Sequence, residues 1–276
     1  MARRRALPGR PGPRPGARPA ASGAPSWNSG RPAWNTRAPE RRPSREWMME
    51  LLVAGGIRLD ATAFERLWTY HELLRKRNHD RDLTRIVAFR SMVIKHYIDC
   101  MLVGTLVELP SPLLDVGSGA GFPGIPLAIQ NPSLHIVLGE PRPRRVEFLQ
   151  EVVAALELPA VEVFGHRVVS ASFRRPMRGT VTRALETMDK TLLRTSGCAR
   201  EGTRHVFMKG PAVDPELELV RTRLQDDVRV VEDIRYRLLD PEHERRLVVL
   251  ERVRDPVGGA GDDAALADPE PNDREG

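Results

Sequence analysis

The chain has 276 residues, 41% of them hydrophobic, enough to bury a packed core in one large or two small domains. Its formal charge of +6 is unevenly placed: residues 1–46 hold eleven Arg against two Glu, and residues 255–276 hold seven acids against one Arg. No apolar run approaches the ~20 residues of a membrane helix, no apolar segment follows the basic start as in a secretory signal, and neither the two cysteines nor the seven histidines are spaced for a metal, so a metal-free cytoplasmic protein is expected; a monomer is expected as well.

Residues 1–45 are dense in Pro, Gly, Arg and Ser without apolar periodicity and are expected to form a disordered basic tail. Within it, Trp27 and Trp34 each precede Asn in an Arg-rich setting, which suits stacking on unpaired bases or is a low-complexity extension with no ligand. A helical region follows over residues 46–110. Ser44 caps a short helix containing Trp47, Leu51 and Leu52 that stops at Gly55 and Gly56. Asp60 caps a longer one with a stripe at Phe64, Leu67, Trp68, His71 and Leu74. A third runs from Phe89 to Leu109, before Pro110.

From residue 111 to 253 the pattern changes to alternating short apolar runs and helical segments. Strands are expected at residues 113–115, 135–139, 161–164, 180–183 and 205–209, with helices at 122–130, 143–158, 168–173, 189–200 and 214–225. Such repetition implies a parallel sheet with right-handed crossovers. Two β-rich runs, 228–238 and 246–252, joined by Asp240-Pro-Glu-His, can only pair antiparallel. The stretch 254–276 is acidic and expected to be disordered.

The first strand ends in Asp115 and is followed by Gly117, Gly119 and Gly121 and then a helix start. Glycines there permit positive φ and the approach of a ligand to bare backbone, and the helix start offers unpaired N–H groups. A dinucleotide fingerprint would need glycine at position 122, where Phe122 stands. The spacing instead resembles motif I of class I S-adenosylmethionine (SAM) methyltransferases. Glu140, just after the second strand, stands where such folds place the acid for ribose hydroxyls.

Further motifs occur in the order and spacing of one family: Lys76-Arg-Asn-His-Asp-Arg-Asp-Leu-Thr84, Lys95-His-Tyr-Ile-Asp-Cys100, Asp115-Val-Gly-Ser-Gly-Ala-Gly-Phe-Pro-Gly-Ile-Pro126, Arg144-Arg-Val-Glu-Phe-Leu149, Thr182-Arg-Ala184 and Met208-Lys-Gly210. Over residues 47–253 the chain resembles the RsmG (GidB) family, bacterial 16S rRNA guanine-N7 methyltransferases. The resemblance implies a class I, Rossmann-like sheet, mostly parallel with a C-terminal antiparallel hairpin, SAM as cofactor and 16S rRNA in the small subunit as partner. It departs from the family at Arg77, Asp82, Lys95 and Cys100 in the helical region that it implies meets RNA, and at Pro141, Val168 and Val169 around the cofactor.

By that resemblance Asp115, Gly117, Gly119, Gly121 and Phe122 surround the cofactor, Glu140 takes its ribose, and backbone at Val168 and Val169 flanks the adenine. Arg183, after the fourth strand, faces the crevice where open α/β sheets bind ligands and is a candidate for both cofactor and catalysis; the competing role is a surface salt bridge. Lys209, at the end of the fifth strand, is the second catalytic candidate. His96 and Asp99, three apart on one helix, either orient a ligand or interact locally. Two alternatives stay open: a divergent paralogue acting on another RNA or a small molecule, and a non-catalytic RNA-binding relative.

Overall fold

The computed structural model describes residues 41–173, 175–239 and 243–255. The expectations for Trp27, Trp34 and nearly all of both tails lie outside them. The described residues from 43 onward fall into one unit. Its helical region comprises α1 (Arg45–Ala54), α2 (Ala61–Arg81), α3 (Phe89–Met92) and α4 (Asp99–Leu106), with a π-helix, Val93–Ile98, running between α3 and α4. Ser44 accepts from the Trp47 N–H at 3.2 Å and Asp60 from the Ala63 N–H at 2.7 Å, so both expected caps form.

Seven strands follow: β1 (Leu113–Val116), β2 (Ile136–Gly139), β3 (Val161–Phe164), β4 (Gly179–Arg183), β5 (Arg204–Lys209), β6 (Val228–Arg237) and β7 (Glu244–Arg252). They form one sheet in the order β3-β2-β1-β4-β5-β7-β6. Only β7 runs against its neighbours, inserted between β5 and β6. This is the class I methyltransferase sheet, with the hairpin supplying its last two strands. The intervening helices are α5 (Gly124–Gln130), α6 (Pro143–Ala155), α7 (Met188–Arg194) and α8 (Asp214–Arg223).

Alternation along the strands assigns each face. In β1, Leu113 joins the large cluster built with α1–α6, whereas Leu114 and Val116 join Val137 and Val168 on the other side. Under β5, β6 and β7, the side chains of Met188, Leu192, Leu217 and Val220 bury α7 and α8 against Phe207 and Val248. Because one hydrophobic cluster runs from Trp47 through Leu138 to Val249, the helical region and the sheet share a core.

One expected helix is missing: residues 168–173 contain no helical hydrogen bonding beyond a turn. The Ser172 hydroxyl accepts from the Val169 N–H at 2.7 Å and the Ser172 N–H donates to the Val169 carbonyl at 2.9 Å, closing one isolated turn. The expected 189–200 helix is also shorter, α7 being followed by a separate 3-10 turn, Ser196–Cys198.

Candidate functional site

The glycine turn after β1 is bent by three positive φ angles, +76° at Gly117, +61° at Gly119 and +102° at Gly121, a region that L side chains rarely adopt. The three glycines differ in what they face. A Cβ at Gly119 would meet nothing closer than the Arg145 guanidinium at 3.7 Å, so this backbone fronts open space, whereas one at Gly121 would collide with Ile125 at 2.6 Å. Behind the turn, the Tyr70 hydroxyl of α2 donates to the Ala120 carbonyl at 2.6 Å. Tyr70 lies on the same stripe as Leu67 and Leu74 and is fully buried; that spacing could have identified it.

Gly117, Gly119 and Phe122 line an open cleft of about 400 Å³ at the C-terminal ends of β1, β2 and β4, together with Glu140, Val168 and Arg183. Glu140 is tied at both oxygens, accepting from the Gly119 N–H at 2.9 Å and from the Arg142 N–H at 2.9 Å. Each oxygen keeps a further lone pair for a ligand hydroxyl. This end could hold a ribose against bare backbone, with Val168 and Leu185 supplying apolar walls.

Four candidates lie off the cleft. Asp115 is fully buried beneath the turn, where its Oδ2 accepts from the Gly124 N–H at 2.9 Å and closes the first turn of α5. Burial pushes its carboxyl up to about 7, opposed by that N–H. Its Oδ1 has no partner among the described residues. Gly121 packs inward against Ile125 and Leu149. Val169 is 46% exposed, and Ser172 already holds its N–H. Lys209 donates to the Glu186 carbonyl at 2.8 Å and pairs with Glu216 at 2.9 Å, so it braces α8 against the segment after β4.

Arg183 is not a surface salt bridge. Its side chain is 18% exposed, its guanidinium stands 5.0 Å over the Phe122 ring, and it donates to the Lys95 carbonyl at 3.0 Å and to His96 Nδ1 at 3.1 Å. His96 in turn stacks on Phe122 at 4.3 Å. Both partners of Arg183 come from the π-helix, which re-aims them relative to an α-helix. Burial, then the Arg183 charge, lowers His96 to about 3. Asp99, though close in sequence, turns to the hairpin: it accepts from the Tyr236 hydroxyl at 2.8 Å and from Arg245 at 3.3 Å, with Arg183 4.0 Å away.

The residues that depart from the resemblance also find places. Arg77 holds Glu151 of α6 through both oxygens, at 2.6 and 3.0 Å, so its role is to clamp α2 to α6. Asp82 caps α2 in the left-handed region, and its carbonyl accepts from Arg145 at 2.8 Å. Cys100 is buried 3.7 Å from the Arg183 guanidinium. Thr84, Arg145, Arg167 and Arg194 also line the cleft; the first two stood inside motifs without an assigned role, and the other two in none.

A family model described as "GidB: rRNA small subunit methyltransferase G" matches residues 63–248. The chain belongs to this family. The GidB match spans every residue lining the cleft, from Leu83 to Arg194. Ribosomal RNA small subunit methyltransferase G 2 of Syntrophobacter fumaroxidans is 44% identical over 215 residues, which are 78% of this chain and 43% of that protein. A protein of the same name from Bdellovibrio bacteriovorus is 40% identical over 190 residues, 69% of this chain and 74% of that one. The chain thus spans less than half the length of the first relative and about three quarters of the second. Among solved structures, the branched-chain polyamine synthase C9 mutein from Thermus thermophilus aligns with TM-score 0.50 at 16% identity, covering 72% of this chain and 65% of that chain, a likeness of fold.

Proposed function

We propose that this GidB-family chain transfers the methyl group of SAM to N7 of a guanine in the 16S rRNA of the small ribosomal subunit, acting as a cytoplasmic monomer. The observation that carries this proposal is the union, in one cleft, of a nucleoside-shaped end at Gly119 and Glu140 with a cationic, aromatic end at Arg183 and Phe122.

The residues present fit the cofactor. A cleft of about 400 Å³ lies in the ordinary range for small-molecule sites. Glu140 has lone pairs for two ribose hydroxyls, Gly119 leaves room for close approach, and Gly117, Val168 and Leu185 line the remainder. When bound, SAM supplies an electrophilic methyl on a sulfonium.

The chemistry asks little else of the protein. Guanine N7 carries a lone pair and no proton, so its attack needs alignment and exclusion of water, not a general base. The two groups nearest that role are otherwise engaged: His96 stays neutral with Nδ1 accepting from Arg183, and Asp115 is sealed under the turn. Arg183 cannot bind N7 without blocking the reacting lone pair. Its remaining donors are free for guanine O6 or a phosphate beside it, with the Phe122 ring below. No helix of the described residues is long and apolar enough to cross a membrane.

The test is incubation of the purified protein with unmodified small subunits and labelled SAM, followed by mass spectrometry of the rRNA nucleosides and calorimetry of SAM binding. Stoichiometric 7-methylguanosine at one position is the expected result. SAM binding without rRNA methylation would move the substrate elsewhere, and no SAM binding would refute the enzymatic role.

A further inference from the structure

Two groups converge on the side-chain oxygen of Thr84. The Ile86 N–H donates to it at 3.1 Å, and His96 Nε2 lies 2.8 Å away. The opposite side of the imidazole sets which way that second contact runs. Nδ1 faces the Arg183 guanidinium at 3.1 Å, and a guanidinium can only donate, so Nδ1 must accept and the ring proton must sit on Nε2. Because burial and the Arg183 charge hold the ring neutral, no second proton changes this at physiological pH.

Nε2–H therefore donates to Thr84, whose oxygen has then spent both lone pairs. A hydroxyl has one donor in addition, and this one has no acceptor among the described residues. The side chain is held for use. Asn78 grips the backbone around it, its Oδ1 accepting from the N–H groups of Leu83 at 3.1 Å and Thr84 at 2.8 Å, and its Nδ2 donating to the Thr84 carbonyl at 2.9 Å. Thr84 is half-buried and lines the cleft with His96, Phe122 and Arg183.

Resting on the function proposed above, we infer that Thr84 is a specificity-determining donor to the incoming base, its hydroxyl proton meeting the O6 carbonyl beside the reacting N7 of guanine. The same count explains discrimination. Adenine also has N7 but presents an amine at position 6, and a hydroxyl with both lone pairs occupied cannot accept from it. The ribose-binding carboxylate Glu140 hydrogen-bonds the glycine turn and Arg142, whereas Thr84 is bonded to the His96–Arg183 cluster, which assigns its proton to the base and not the nucleoside cofactor.

The experiment compares wild type, Thr84→Val and Thr84→Ser in single-turnover methylation of small subunits, with SAM affinity measured in parallel. Once wild type has mapped the target guanine, subunits are also reconstituted with 2-aminopurine there, which keeps N7 and lacks O6. Thr84→Val should slow transfer to guanine roughly tenfold, Thr84→Ser should restore most of it, and SAM affinity should stay within about twofold. On 2-aminopurine, wild type and Thr84→Val should be equally slow, because the lost hydrogen bond is the same one. Equal rates on guanine would overturn the inference, as would an undiminished Thr84→Val defect on 2-aminopurine, which means a merely structural role. Tenfold weaker SAM binding would place the proton on the cofactor and overturn it too. A wild type that binds SAM but methylates no subunit refutes the proposed function itself, and the inference falls with it.

Discussion

The two ends of the cleft are built on opposite principles. The Gly119 end, proposed to take the ribose, is mostly backbone: Gly117 and Gly119 with positive φ, and one carboxylate fixed by the N–H groups of Gly119 and Arg142. The Arg183 end is nearly all side chain, with Thr84, His96, Phe122 and Arg183 brought from four segments and locked by stacking and shared protons. A backbone site is sensitive to what is added to it, since its specificity is empty space. An interlocked side-chain site is sensitive to what is exchanged within it, because each member fixes the protonation or rotamer of the next.

Substitutions at each end should separate them. Gly119→Val is expected to abolish SAM binding in calorimetry with the protein folded but less stable, because its side chain would stand in open cleft on a backbone whose φ of +61° strains any L residue. Gly124→Ala should do the reverse. Its Cβ would meet Leu138 at 2.3 Å and Asp115 at 2.8 Å, an overpacking worth about 1–3 kcal/mol in denaturant unfolding. Full SAM affinity in Gly119→Val would dissolve the backbone end of the comparison.

Arg183→Lys keeps the charge but cannot reach the Lys95 carbonyl and His96 together as a planar fork does. Single-turnover methylation should fall by about 100-fold or more, well beyond any change in SAM affinity. Since the side chain is mostly buried, some thermal stability should go as well. A rate equal to wild type would leave Arg183 a structural strut. Glu140→Gln retains an acceptor but turns an amide NH2 toward a backbone N–H. Its SAM dissociation constant should rise roughly tenfold with the transfer rate at saturating SAM little changed.

The smallest effect concerns pH. The Asp115 pKa is raised by burial to about 7 in the folded chain, so the fold binds the proton more tightly than the unfolded chain does. Its contribution is complete below the unfolded value near 3.8 and is lost as pH rises through 7. Asp115→Asn, which can still accept from Gly124, should therefore gain melting temperature over wild type as pH goes from 4 to 7 and gain nothing further above. The buried histidines His71, lowered to about 4, and His205, lowered to about 3, act with the opposite sign: burial favours their neutral form. Their contribution is full above 6.5 and is lost as pH falls toward 4. A gap between Asp115→Asn and wild type that does not vary with pH would mean that the carboxyl is not buried as described.

The same contrast explains what the chain disclosed in advance. The glycine turn, Glu140 and all seven strands were legible, since period, turn chemistry and ligand-facing backbone are written over a few adjacent residues. At the other end, only Arg183 and Phe122 were named from their motifs, with His96 left undecided. Thr84 was seen only as the end of a motif, because nothing local says that residues 84, 96 and 183 share a proton chain. Asp115 and Lys209 were misplaced for one reason. A charged residue at a strand end reads as functional, but Asp115 closes a helix start and Lys209 binds Glu216 of α8. In place of the 168–173 helix there is a single turn, its Ser172 N–H bonded to the Val169 carbonyl and its Ser172 hydroxyl bonded back to the Val169 N–H, a local pairing that the apolar pattern does not show.

The order of strands has a consequence for how the molecule comes into being. β6 is synthesised before β7 yet pairs only with it, so a growing chain that has reached Arg237 has no sheet partner for β6 and leaves the β5 edge open. Only when residues 244–252 arrive can both strands join the sheet, and Arg245 then reaches the nearly inaccessible carboxylate of Asp99, 146 positions earlier. Until that moment Asp99 sits beside Arg183 without its full set of donors. The cluster that would select the base is thus completed by nearly the last part of the family match to be made, and a ribosome releasing a chain cut short before β7 would release a glycine turn without a finished rim.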